Sequence, residues 1–278
     1  MHIHHELDYE LIKHVLDRAD QIHENQENLS SSMNNTSIAS FFMQPSTRTR
    51  ASFAKAVWEV GAGLIEIPSA ESSMEKSETL EDTMMVLDAM GIDFLVIRQG
   101  DVLEIPTGMK FLKVINAGDA LYHPTQGLLD AYTLQQFGEI RGIVVGVVGD
   151  VRHSRVYNSN KDILTKLGAQ VIYSAPPGFD IEEAPNHSPD FLFKSADAIM
   201  ALRPQRSRMR KELYGPWRVT KELAKGRPVL HPGPISGDRY EMDDDAITET
   251  ILKQVTNGVL VRAALLLTLA RYNLRRMF

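Results

Sequence analysis

The 278-residue chain contains no cysteine. This excludes a disulfide framework, a thiolate metal site and a cysteine nucleophile, and it fits a reducing compartment, so the cytoplasm is expected. There is no surplus of positive charge: 30 Lys+Arg stand against 36 Asp+Glu, a net charge of −6. A general nucleic-acid coat or a binder of anionic membranes needs the opposite balance, so neither partner is expected and any cationic site must be local. Long apolar runs are missing too. The longest, Val259 to Ala270, is interrupted by Arg262 and followed by Arg271; it is too short and too charged to span a bilayer and reads as a buried helix. Gly146-Val147-Val148-Gly149-Asp150 lacks the full G-x-G-x-x-G spacing of a dinucleotide site, and no P-loop, His-Glu-x-x-His or Ser nucleophile elbow occurs. No cofactor or metal is expected. The start, MHIHHELDYE, has neither the basic end nor the apolar run of a signal peptide. His2, His4 and His5 within it are expected on a frayed, solvated end, able at most to take up a metal adventitiously.

What is present reads as α/β. Leu7, Leu11, Ile12, Val15, Leu16, Ala19 and Ile22 recur at helical spacing, and the polar run Asn25 to Asn35 ends that pattern. Short apolar runs at 38–42, 63–67, 94–97 and 113–115 then alternate with helix-like stretches at 47–60, 79–90 and 124–137, the order of βαβ units around a parallel sheet. A second series begins at Gly142, with strands expected at 143–148, 170–174, 198–202 and 228–230 and a helix at 154–167. A length of 278 residues suits two such units, joined near the 124–137 helix. The closing helix, about 246–274, is apolar enough to need a large partner surface on either unit.

The densest polar cluster, Pro45-Ser46-Thr47-Arg48-Thr49-Arg50, falls between a strand and a helix start. There, unpaired N–H groups, the positive end of the helix dipole, hydroxyls and guanidinium groups together make a phosphate pocket. A Ser N-cap followed by a solvated arginine face would give the same letters. Arg48 and Arg50 lie two apart on the helix and point to different sides, so at most one of them faces the anion directly; Arg48 is chosen. In His123-Pro124-Thr125-Gln126, Pro124 suits the first helical turn and leaves His123 and Gln126 near a helix start, where a capping or core histidine is the ordinary alternative. Arg98 follows the strand at 94–97, at the carboxyl end where open α/β sheets bind ligands.

These motifs, with SSMEKSET (72–79), IRQ (97–99), GDVRHSR (149–155), LRPQ (202–205) and HPGP (231–234), resemble the aspartate and ornithine carbamoyltransferase family in its motif order from about Phe41 to Leu274. The resemblance implies two doubly wound parallel-sheet domains, one for carbamoyl phosphate and one for the amino acid, with the last helix returning to the first. The boundaries expected are 1–128 completed by about 255–278, and 129–254. It implies that Ser46, Thr47, Arg48, Thr49 and Arg98 hold the phosphate, that Thr49, Arg98 and His123 donate to the carbonyl oxygen, and that Gln126 and the backbone of the Pro232-Gly233-Pro234 turn bind the carbamoyl amino group. Ser72 and Lys76 match residues that reach in from a neighbouring subunit, which implies a homotrimer.

Arg203-Pro204-Gln205 and His231-Pro232-Gly233-Pro234, with no cysteine anywhere, favour the aspartate branch over the ornithine branch. Arg155 and Arg203, with Gln205 and Lys76, would bind the dicarboxylate, and the planar forks of the two arginines suit carboxylates. The expected reaction is transfer of the carbamoyl group to the L-aspartate amine without a covalent enzyme intermediate. Alternatives are a paralogue acting on another amino acid and a non-catalytic homologue that binds carbamoyl phosphate. A regulatory chain or a dihydroorotase is a further partner that the resemblance allows. Several positions depart from the aspartate pattern: Gln44 stands where Glu is usual, the 116–123 stretch is one residue shorter, Pro204 fills the middle of Arg-x-Gln, and Ile235 to Glu241 replaces an Asn-Arg-Gly loop.

Overall fold

The computed structural model describes residues 2–68, 78–204, 211–233, 241–243, 246 and 249–274. The chain divides into two compact units, Met1–Thr125 with Gly258–Phe278, and Gln126–Asn257. Each is built on a four-stranded, all-parallel sheet.

In the first unit, α1 (Tyr9–Asn25) is followed by β1 (Ser37–Phe42), α2 (Thr47–Glu59), β2 (Gly63–Ile67), α3 (Leu80–Ala89), β3 (Phe94–Arg98) and β4 (Lys113–Asn116). The strand order is β2-β1-β3-β4. Strands buried on both faces read as continuous apolar runs, which is why β1, β3 and β4 are legible. Phe41, Leu95, Ile97 and Val114 pack there with Met84 and Leu87 of α3. β2 differs, because it is the edge strand and its first four residues are exposed.

The second unit opens with α4 (Pro124–Gln135), whose first two residues close the first unit. It continues through β5 (Val144–Val148), α5 (Arg155–Lys166), β6 (Gln170–Ser174), α6 (Pro189–Ser195), β7 (Ala198–Ala201), a 3-10 helix (Lys211–Trp217), α7 (Lys221–Ala224) and β8 (Val229–Leu230). Its order, β6-β5-β7-β8, repeats that of the first sheet. Val148, Ile199, Ala201 and Val229 pack with Leu192 and Phe193 of α6. The last helix, α8 (Glu249–Leu274), starts in the second unit and belongs to the first from Gly258 onward. Length and composition would let it cross a membrane, but Ala264, Leu265, Leu266 and Leu269 are fully buried in protein. Arg262 lies with its guanidinium 5.0 Å from the Phe53 ring, and buried Lys113 donates from Nζ to the Leu269 carbonyl at 3.0 Å. Burial pushes the Lys113 amine down from its ordinary pKa.

The amino terminus is not the solvated end its composition suggests. Ile3, fully buried, donates to the Val114 carbonyl and accepts from Asn116 N–H, both at 2.8 Å, and so extends the sheet edge beside β4. His2 Nδ1 accepts from Val114 N–H at 3.1 Å, His4 Nε2 contacts the Leu103 carbonyl, and His5 Nε2 reaches Asp119 Oδ2 at 2.7 Å. Backbone pairing and a buried carboxylate overrule the polar composition.

Candidate active site

In a sheet ordered 2-1-3-4 the chain reverses direction between the first and third strands, and the loops leaving their carboxyl ends diverge to open a crevice. In the first unit those loops follow Phe42 and Arg98, which are register partners, and Met43 N–H donates to the Arg98 carbonyl at 2.9 Å. Pro45 to Arg50 therefore leave the sheet beside Arg98.

Ser46 is the N-cap of α2, yet its hydroxyl makes no cap bond. The alternative reading of this motif as a plain Ser cap is thus not what the backbone shows, and the first turn of α2 keeps its anion-binding polarity. Arg50 is engaged by Glu66 of β2, with Nη2 and Nε at 2.8 and 3.0 Å from Oε2. Arg48, on another side of the helix, is exposed, as is Thr47, while Thr49 is buried.

Arg98 donates from Nη1 to the Ala117 carbonyl at 3.2 Å. Gly118 (φ +121°) joins it to the second motif: a Cβ at that position would stand 2.8 Å from Arg98 Nη1 and 3.2 Å from His123 Cδ2. A side chain at 118 would crowd both groups, so the glycine leaves room for the guanidinium and the imidazole beside it. His123 is buried, with Thr125 Oγ1 at 3.4 Å from its Nδ1.

The loop that carries His123 hangs on Asp119, a residue sequence reasoning passed over. Its carboxylate accepts from the N–H groups of Leu103, Leu121 and Tyr122 at 2.7–3.0 Å, from Asn116 Nδ2 at 3.0 Å, and it pairs with His5. Burial opposes ionisation, but the backbone bonds from Tyr122, Leu103 and Leu121 and the His5 contact outweigh it and hold the carboxyl below the usual aspartate value. The Gly-Asp pair at 118–119 between a strand and HPTQ was the available signal.

The second unit repeats the plan. β5 and β7 flank its reversal point, with Val148 and Ala201 in register, and β8 lies beside β7. Arg155 is the first residue of α5, whose N-cap Ser154 accepts from Tyr157 N–H at 3.1 Å. Arg203 follows β7 and is exposed, and His231 to Gly233 follow β8. Arg155 and Arg203, two of the four residues expected on the acceptor side, thus lie at the carboxyl edge of one sheet. Beneath them, Tyr157 is buried, and burial first, then Tyr173 and Glu183, pushes its hydroxyl up to about 12. Gln126 donates from Nε2 to Asp130 Oδ1 at 2.9 Å. Ser72, Lys76, Gln205 and Pro234 lie outside the described residues.

The profile of the aspartate/ornithine carbamoyltransferase carbamoyl-P binding domain matches residues 3–136. The aspartate carbamoyltransferase catalytic subunit of Thermus aquaticus is 40% identical over 251 residues, covering 82% of this chain and 83% of that protein. The chain belongs to this carbamoyltransferase family. Among solved structures, the catalytic subunit of M. jannaschii aspartate transcarbamoylase superposes with a TM-score of 0.82 at 27% identity over 98% of both chains. Ornithine carbamoyltransferase from Pyrococcus furiosus does so with 0.83 at 24% identity, covering 95% of this chain and 96% of that one. The family's fold therefore serves both acceptors, and the choice between them rests on side chains and sequence likeness.

Proposed function

We propose that this protein transfers the carbamoyl group of carbamoyl phosphate to the amino group of L-aspartate, giving N-carbamoyl-L-aspartate and phosphate for pyrimidine synthesis in the cytoplasm. The observation that carries the choice of acceptor is the 40% identity, over four-fifths of the chain, to a catalytic subunit named for aspartate. The two arginines at the carboxyl edge of the second sheet agree with a doubly anionic acceptor. The first unit is the carbamoyl-phosphate half and the second the amino-acid half.

Ser46, Thr47, Arg48 and Thr49, with Arg98, bind the phosphate at the start of α2. Thr49, Arg98 and His123 donate to the carbonyl oxygen. The Thr125 hydroxyl stands 3.4 Å from His123 Nδ1, and a proton on Nε2 is the tautomer that this role needs. Gln126, the backbone of Pro232 and Gly233, and Pro234 take the carbamoyl amino group. Arg155, Arg203, Gln205 and Lys76 hold the aspartate carboxylates.

The neutral amine attacks the carbamoyl carbon, a C–N bond forms, and negative charge gathers on the carbonyl oxygen. Collapse breaks the C–O bond to phosphate, and the leaving phosphate accepts the proton that the amine gives up. The donors are aimed at charge that develops only in the transition state, where a single deletion costs roughly 3–4 kcal/mol. Holding two anions together that repel in water adds the orientational part.

The assembly is a homotrimer in which Ser72 and Lys76 serve a neighbour's site. The exposed β2 edge agrees with this: its first four residues are exposed, Leu64 and Ile65 among them, and an open strand edge is a feature that associating proteins cover. Incubating the pure protein with carbamoyl phosphate and a panel of amino acids, then measuring ureido product, tests the activity. Product with aspartate is expected. Product only with another amino acid would make the chain a paralogue, and carbamoyl-phosphate binding without product would leave a binding homologue.

A further inference from the structure

One buried carboxylate organises the part of the second unit assigned above to the carbamoyl amino group. Asp130, 1% exposed, lies one helical turn after Gln126 on α4. Its Oδ1 accepts from Gln126 Nε2 at 2.9 Å and from Gln254 Nε2 at 2.7 Å, and its Oδ2 accepts from Asn160 Nδ2 at 2.8 Å. Gln254 Oε1 in turn accepts from His231 N–H at 2.9 Å, and His231 Nδ1 accepts from Gly233 N–H at 2.9 Å. His231 Nε2 stands 3.1 Å from Glu241 Oε1. Close approach of α4 and α5 makes the cluster: a Cβ at Gly127 would stand 2.7 Å from Ile163 Cδ1 and 3.1 Å from the Ser159 carbonyl, so the glycine eases the approach that brings Asn160 beside Asp130.

A carboxylate accepts hydrogen bonds and donates none, so it dictates which end of every neighbouring carboxamide faces it. Asn160 follows the rule: its Nδ2 goes to Asp130 and, at 3.0 Å, to the Val156 carbonyl, although its Oδ1 is then buried without a partner among the described residues. Gln126 obeys the same rule, giving Nε2 to the carboxylate and leaving Oε1 as the end to offer a ligand. The amino group of carbamoyl phosphate has only N–H donors to present and must meet acceptors. A Gln126 turned the other way would offer it a second NH2.

We propose that Asp130 is a positioning residue that sets the polarity of the carbamoyl amino subsite, holding Gln126 with Oε1 outward and, through Gln254 and His231, fixing the Pro232-Gly233 backbone. This rests on the reaction proposed above. Loss of Asp130 should therefore harm recognition of the amino group and nothing else about the donor.

Acetyl phosphate, which has a methyl group in that place, separates this role from a merely structural one. Carbamoyl phosphate affinity and acetyl phosphate inhibition are measured for the wild type, Gln126→Ala and Asp130→Asn, with thermal unfolding as a control. Gln126→Ala should erase the wild-type preference for carbamoyl phosphate; preference kept in full would overturn the subsite assignment and this inference with it. If Gln126→Ala behaves as expected, Asp130→Asn should weaken carbamoyl phosphate by about tenfold or more, one polar contact's worth, with acetyl phosphate changed less than about twofold. Equal weakening of both ligands, or no weakening of carbamoyl phosphate, overturns the role of Asp130 while leaving the reaction standing. Should Asp130→Asn fail to fold, Gln254→Met, which cuts the link from Asp130 to His231, is judged by the same two ratios.

Discussion

Arg203 follows a strand end on the second sheet, Arg98 one on the first, and the proposed division of labour gives them separable phenotypes. Charge-assisted hydrogen bonds to a carboxylate contribute roughly 1.5–3 kcal/mol, so Arg203→Ala should raise the aspartate KM by about ten- to hundredfold. Carbamoyl phosphate binding, measured by equilibrium titration, should stay nearly unchanged. Equal loss of both substrates would show that the residue serves the other half of the reaction. Side chains of this kind are legible in the sequence because they follow strands directly and sit in short motifs. Asp130 was not, since its partners Gln254 and Asn160 stand 124 and 30 residues away, and no local pattern announces a buried carboxylate whose donors come from other helices.

Element by element, legibility followed short apolar runs. The strands at 38–42, 94–97 and 113–115, nearly all of them buried, were read within a residue or so, and so were the edge strands at 63–67 and 170–174, although β2 is exposed and β6 begins on an exposed residue. The seven-residue α6 was missed, although Ser188 caps it and Pro189 opens its first turn, because so short a helix shows barely two turns of periodicity. The amino terminus was misread because backbone pairing leaves no compositional trace. Its tie to Asp119 carries a pH consequence shared with Asp88, a buried carboxylate that accepts from the N–H groups of Lys110, Phe111 and Leu112 at 2.7–3.1 Å. For Asp88 too, burial raises the pKa but the backbone bonds from Leu112, Lys110 and Phe111 lower it further, and the net direction is down. A depressed folded-state pKa gives stability that is complete above the unfolded value and is lost as pH falls through the folded one. Urea midpoints should therefore drop on acidification below the ordinary aspartate range. Asp88→Asn should be less stable at neutral pH yet show a shallower acid limb, and parallel pH profiles for the two proteins would contradict this.

For the whole molecule, the two sheets share one strand order, and the motifs that follow β1, β3, β5 and β7 leave the strands flanking the reversal points, where open α/β sheets bind ligands. The proposed site is incomplete within one chain if Lys76 serves a neighbour, and subunit mixing tests that. Take Lys76→Ala chains, which keep Arg48, and Arg48→Ala chains, which keep Lys76; each trimer alone has three dead sites. In a mixed ring of either composition, one site in three pairs an intact Arg48 with an intact Lys76 from the next subunit. Random exchange of equal amounts makes about three quarters of the trimers mixed, so activity should recover to about one quarter of the wild-type level. A site contained within one chain predicts zero recovery at any mixing ratio, because every chain then carries its own defect. Exchange verified by mass-tagged subunits, with activity still absent, would therefore place Lys76 in the site of its own chain.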